Sequence, residues 1–112
     1  MINAYYYFDK EQAYLCIKGH SGYGKEGEDI VCAGVSSLAM ALNKFIQDKD
    51  YETFHISGQK GSSDFYVKMN ERTSHEVKTA FRVVIKGIEA ISEQYPENVA
   101  IQPLLGMPRG AL

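Results

Sequence analysis

The chain has 112 residues, which is the size of a single domain and excludes a multidomain enzyme. Its 45% hydrophobic and 23% charged residues are typical of a globular protein with a core. A formal net charge of -2 lacks the positive field that favours DNA or RNA binding, so the composition argues against a nucleic-acid partner.

The sequence predicts a cytoplasmic protein with no membrane partner. The longest uncharged run, residues 30–43, is shorter than the roughly 20 apolar residues of a membrane span, and no basic segment leads into a hydrophobic stretch at the start. Cys16 and Cys32 are too few for a disulfide-stapled secreted domain, so we expect two free thiols.

The first predicted elements are two strands that form a hairpin. Residues 2–8 (INAYYYF) and 13–18 (AYLCIK) are rich in aromatic and branched side chains and flank a polar stretch. Because side chains alternate along a strand, Ala13, Leu15 and Ile17 share one face. The opposite face then carries Tyr14, Cys16, Lys18 and, beyond the strand, His20.

A glycine-rich loop and a helix follow. Gly22, Gly24 and Gly27 lie among charged residues and predict a mobile loop. Asp29 can then cap a helix that ends near Asp48. Its apolar stripe recurs at steps of four and three, with Val31, Val35, Leu38, Leu42 and Phe45 as its members.

The second half of the chain is again predicted to contain two strands followed by a helix. Strands are predicted over 53–57 and 65–70, joined by a turn over 58–63. Thr73 and Glu76 form a predicted capping box for a second helix, and Pro96 bars its continuation. The apolar stripe of this helix consists of Val77, Phe81, Val84, Ile88 and Ile91.

Residues 99–102 are predicted to form a last strand, which completes the order ββαββαβ. This order predicts an α+β fold with a mainly antiparallel sheet and two amphipathic helices packed on it. We expect one compact domain over residues 1–102 and a loose tail over 103–112, which has two prolines and two glycines.

The candidate chemistry lies in residues 19–38, GHSGYGKEGEDIVCAGVSSL. With Asp29 as the cap, Cys32 is the third helical residue, where a helix N-terminus favours the thiolate that attacks a carbonyl. Free N–H groups of that turn could stabilise an oxyanion, and His20 could serve as the general base. A buried, inert thiol is the commoner state of a free cysteine, so the spacing alone leaves both readings open.

The run GHSGYG, the step Asp29-Ile30-Val31-Cys32 and the continuation Ala33-Gly34-Val35-Ser36 resemble the signature of the bacterial ribosomal-processing cysteine protease family, known as Prp. The resemblance extends over nearly the whole chain. It implies a cysteine endopeptidase that removes the N-terminal extension of large-subunit ribosomal protein L twenty-seven. It also implies a homodimer. Peptide hydrolysis by a Cys-His dyad requires no cofactor, and we expect no metal.

The resemblance implies roles for particular residues. Cys32 matches the nucleophile and His20 the base of a Cys-His dyad, while Asp29 and Ser36 match supporting positions. The family's flexible loop, which must move to admit the peptide, corresponds to residues 21–28, with Ser21, Gly22, Tyr23, Gly24 and Gly27 among them. Gly34 stands where the family more often has alanine, and a glycine there favours a close backbone approach.

Three other sites are less well supported by the sequence. Residues 19–25 read G-x-x-x-x-G-K, but Glu26 replaces the Ser or Thr that a phosphate loop requires. Cys16, His20 and Cys32 lack a fourth ligand for a structural zinc. The aromatic run over residues 5–8 is more typical of core and dimer contacts than of a peptide groove.

Two other histidines and two tyrosines are assigned no catalytic role. His55 and His75 are expected to be solvated or hydrogen-bonded, and Tyr14 and Tyr23 are candidate walls of the cleft. The alternative function is a non-enzymatic module that binds a ribosomal protein or an assembly partner and uses the thiol only structurally.

Overall fold

The structure is a computed structural model that describes residues 1–51 and 53–108. The elements are β1 (Ile2–Phe8), β2 (Gln12–Lys18), α1 (Ile30–Lys49), β3 (Phe54–Gln59), β4 (Ser62–Lys68), α2 (Ser74–Gln94) and β5 (Val99–Pro103). This order confirms the predicted ββαββαβ arrangement and the α+β class.

The five strands form one mixed sheet in the order β3-β4-β2-β1-β5. The three pairs among β3, β4, β2 and β1 are antiparallel. The pair β1–β5 is parallel, with Ile2 opposite Val99. The second hairpin therefore adds to β2, and the last strand crosses to the far side of β1.

Both helices pack on one face of the sheet and enclose the core. Ala13, Leu15 and Ile17 point towards them, as the alternation predicts. The largest fully buried side chains of this core are Phe81, Leu15, Leu42, Ile46, Ile88, Val31, Val67, Val77 and Val99. Burial of this apolar surface is the main force that holds the helices on the sheet.

Helix α1 is long and apolar enough to cross a membrane by length and composition alone. In this fold one side of the helix is part of the core, through Val31, Val35, Leu42 and Ile46. Its other side is largely uncharged and exposed, with Ile30 and Met40 at 60% and 70% exposure.

The opposite face of the sheet carries a smaller apolar cluster of Tyr14, Cys16 and Tyr66. Leu104 and Met107, from the segment after β5, pack against this cluster, and the Leu104 N–H donates to the Tyr6 carbonyl at 2.7 Å. The remainder of the predicted tail, residues 109–112, lies outside the described residues.

Two local predictions are wrong. The turn predicted over 58–63 is only two residues long, Lys60 and Gly61, because the small polar residues on either side pair as strands β3 and β4. The capping box of α2 is absent from the described hydrogen bonds. Thr73 precedes the helix but makes no side-chain cap, since its hydroxyl accepts from the Asn70 N–H at 3.0 Å.

Candidate active site

The start of α1 is set by a side-chain cap. The Asp29 Oδ1 accepts from the N–H groups of Val31 at 3.0 Å and Cys32 at 2.9 Å, so the predicted N-cap is confirmed. This fixes Cys32 as the third helical residue. The half-buried Cys32 sulfur accepts a hydrogen bond from the Ser21 N–H at 3.4 Å.

The Asp29 carboxylate also accepts hydrogen bonds from the loop that precedes the helix. The Ser21 hydroxyl donates to its Oδ2, and the Gly24 N–H donates to the same oxygen at 3.1 Å. The Ser21 hydroxyl first, and then the Cys32 N–H, lower the pKa of Asp29 to about 2. Asp29 is therefore ionised at neutral pH and ties the loop to the helix.

The first turn of α1 has fewer free N–H groups for an oxyanion than the sequence suggests. The N–H groups of Val31 and Cys32 are bound by the Asp29 side chain, and the Ala33 N–H donates to the Asp29 carbonyl at 3.0 Å. The donor that faces the sulfur comes from the loop instead, as the N–H of Ser21.

His20 reaches the cleft because Gly19 turns the chain. Gly19 has φ +98°, and a Cβ there would lie 2.3 Å from the Met1 carbonyl oxygen, so only glycine fits. Strict strand alternation would have placed His20 on the Tyr14 face, and that expectation is wrong. The imidazole instead packs over Gly61 of the β3–β4 turn, where a Cβ would lie 2.9 Å from Nε2.

His20 and Cys32 line the same cleft, which has a volume of about 770 Å³. Asp29, Ser36 and three glycines of the loop also line it. The β3–β4 turn forms the opposite wall. Small side chains and bare backbone dominate this lining, so the cleft has room for an extended peptide.

The loop over the cleft is joined to the opposite wall by an ion pair. Lys60 Nζ lies 2.5 Å from Glu26 Oε1, and both side chains are mostly exposed. The Lys60 ammonium holds the pKa of Glu26 below its usual value. This pair spans the cleft at its exposed edge.

Tyr14 and Tyr23 are predicted as walls of the cleft, and neither of them lines it. Tyr14 lies on the opposite face of the sheet with Cys16, where burial, followed by the hydrogen bond to Cys16, raises its pKa. The ring of Tyr23 packs edge-on against Tyr95, with 5.0 Å between ring centroids. Because Cys16 lies across the sheet from Cys32, Cys16, His20 and Cys32 do not converge on one metal ion.

Sequence reasoning gave no separate role to Ser21, Asn98 or Lys60. Ser21 is buried at 2% exposure and bonds to both Cys32 and Asp29. Asn98 donates to the Ser21 carbonyl at 2.9 Å across 77 positions of the sequence. No local signal could have indicated that contact, because it depends on the position of β5 beside β1.

A thiol at a helix start and an imidazole across one peptide-sized cleft, on a two-layer α+β fold, define a cysteine peptidase. The sequence model of the family described as Cysteine protease Prp matches residues 1–100. The chain belongs to this family and is a cysteine protease.

Relatives and solved structures agree with this assignment. The chain is 28% identical over 88 residues to the ribosomal processing cysteine protease Prp of Bacillus subtilis, covering 74% of this chain and 78% of the relative. It is 25% identical over 87 residues to Prp of Staphylococcus aureus, covering 78% and 82%. The crystal structure of S. aureus Prp with a covalently linked product peptide has a TM-score of 0.79 at 22% identity, over 93% of this chain and all of that one.

Proposed function

We propose that the chain cleaves a peptide bond through an acyl-enzyme on Cys32, with His20 as base and then acid. The observation that carries this proposal is that both side chains line one cleft and that a backbone N–H faces the Cys32 sulfur. His20 takes the thiol proton, and the sulfur bonds to the substrate carbonyl carbon. The C–N bond then breaks, and His20 returns the proton to the leaving amine.

The second half of the reaction uses water. His20 accepts a proton from a water molecule, and the oxygen of that water attacks the thioester carbon. The C–S bond breaks, His20 returns the proton to the sulfur, and the peptide leaves as a carboxylic acid that releases its proton to the solvent. These steps draw only on side chains of this chain and water, so the mechanism calls for no cofactor.

The proposed substrate is the N-terminal extension of the precursor of ribosomal protein L twenty-seven. Support comes from relatives that are named for ribosomal processing. It also comes from the S. aureus relative, which has been solved with a substrate peptide and with a covalently linked product peptide. Asp29 and Ser36 support the site, and within the loop over residues 21–28 the part beyond Tyr23, with Gly24 and Gly27, opens to admit the peptide.

The proposal extends to assembly and location. The exposed apolar side chains Ile30, Met40 and Val83 lie on the outer sides of the two helices, which is consistent with a homodimer. Sedimentation equilibrium of the purified chain tests this, and a monomer at every concentration would refute it. We also propose a cytoplasmic location, which a role in ribosomal processing would require and which imaging of a tagged chain tests.

The test of the function is to incubate the purified protein with the ribosomal protein precursor and follow its mass. The parent and Cys16→Ala should release the extension, because Cys16 lies on the far face of the sheet. Cys32→Ala and His20→Ala should leave the precursor intact. Intact precursor with the parent, or equal cleavage by Cys32→Ala, would favour the non-enzymatic binding module.

A further inference from the structure

Ser21 is a buried polar residue whose hydrogen-bonding groups all have partners. Its N–H donates to the Cys32 sulfur at 3.4 Å, and its hydroxyl donates to Asp29 and accepts from the Tyr23 N–H at 3.2 Å. Its carbonyl accepts from Asn98 Nδ2 at 2.9 Å. Such complete pairing holds a buried backbone segment in one conformation.

Asn98 is itself rigidly held at the connection between α2 and β5. Its N–H donates to the Tyr95 carbonyl at 2.9 Å, and its carbonyl accepts from the Ile2 N–H at 2.8 Å, where β1 begins. Tyr95, in the same connection, packs against the ring of Tyr23. The connection thus holds the first part of the loop at two points, Ser21 and Tyr23.

We propose that Asn98 is a positioning residue of the active site: its amide holds the Ser21 carbonyl and so keeps the Ser21 backbone in the conformation that directs its N–H at the Cys32 sulfur. The proposal rests on the proposed function. Two donors at the start of α1, the N–H groups of Val31 and Cys32, are taken by Asp29. The Ser21 N–H therefore stabilises the thiolate at rest. After the sulfur attacks the carbonyl carbon, the same N–H lies beside the oxyanion of the tetrahedral intermediate.

The same contact orients His20, the residue that directly precedes Ser21. The Ser21 N–H lies in the plane of the His20–Ser21 peptide, and the Ser21 carbonyl lies in the next peptide plane, so holding both groups restricts the backbone directly after His20. Within the described residues, the cleft lining does not include Asn98, so its loss should affect the chemical step more than peptide binding.

The test uses Asn98→Ala, which removes the amide, and Asn98→Asp, which keeps the size but removes the donor. The first readout is the rate at which iodoacetamide alkylates Cys32 as a function of pH, followed by mass spectrometry. Both variants should move the midpoint of this profile up by about one pH unit, since a hydrogen bond to the charged form is lost or misdirected. On the precursor, kcat should fall about tenfold with KM nearly unchanged.

Ser92→Ala is the matched control. The Ser92 hydroxyl donates to the Val99 carbonyl at 2.7 Å, so this variant loses a bond between α2 and β5 without touching Ser21. It should lower the melting temperature but leave the Cys32 profile unchanged. An unchanged midpoint in both Asn98 variants, or an equal shift in Ser92→Ala, would overturn the proposal. Alkylation needs no substrate, so this readout stands even if the precursor proves not to be cleaved.

Discussion

Gly61→Ala tests whether the β3–β4 turn positions His20, because it changes neither of the proposed catalytic side chains. Gly61 has φ +80°, and the added Cβ would lie 2.9 Å from His20 Nε2. Ordinary contacts between such atoms are about 3.5–4.0 Å, so the imidazole has to move by roughly 0.6–1 Å. Displacement of a reacting group by about 1 Å can lower the rate by about 100-fold.

We therefore expect kcat/KM on the precursor to fall by about 10- to 100-fold. The left-handed conformation of an alanine also costs about 1–2 kcal/mol, which lowers the melting temperature by roughly 4–8 °C. The assay pairs cleavage kinetics, at a temperature where the variant is folded, with thermal unfolding by circular dichroism.

Gly58→Ala is the control in the same hairpin. Its Cβ would lie 3.7 Å from the Ser63 hydroxyl, an ordinary contact away from His20, so activity should be retained. If Gly61→Ala shows the expected loss of stability but parental kcat/KM, the contact with the turn does not position His20.

Three further predictions concern charge and thiol reactivity. Glu26→Gln removes the ion pair with Lys60, so kcat/KM should rise, by no more than about fivefold. In the parent, kcat/KM should increase with ionic strength because salt screens the pair, and in the variant this increase should be absent. Asp29→Asn should destabilise the fold at neutral pH. Because folding lowers the Asp29 pKa from 3.8 to about 2, the difference in unfolding free energy from the parent should shrink as pH falls through that range, and a difference independent of pH would contradict this. Burial first, and then the hydrogen bond to Asp64, raise the pKa of Cys16 to about 11, so iodoacetamide at neutral pH should label Cys32 and leave Cys16 unmodified, as peptide mass spectrometry would show.

The start of α1 could be predicted from the sequence because its cause is local. Asp29 is followed at the right spacing by an apolar period of 3.6 residues, and the cap bonds to N–H groups two and three positions on. The same locality places Cys32 in the first turn. The strands of the first hairpin follow from alternation in the same way, and the core face of β2 is as predicted.

Two of the errors lie where local patterns compete with contacts to other elements. Most residues of the segment 58–63 are small and polar, which is typical of a long turn. Pairing of β4 with β2 and with β3 extends both hairpin strands and leaves a turn of two residues. Thr73 and Glu76 have the spacing of a capping box, but Asn70 engages the threonine hydroxyl. In both cases neighbours in space decide the conformation.

The sequence by itself determined the order of elements, the capped helix and the presence of a thiol and an imidazole on either side of a glycine-rich loop. Only the tertiary structure decided which groups meet. The positive φ of Gly19 turns His20 into the cleft, and the parallel pairing of β5 with β1 brings Asn98 to Ser21. These contacts join residues far apart in the chain, and they form only when burial of a common core holds the strands in register.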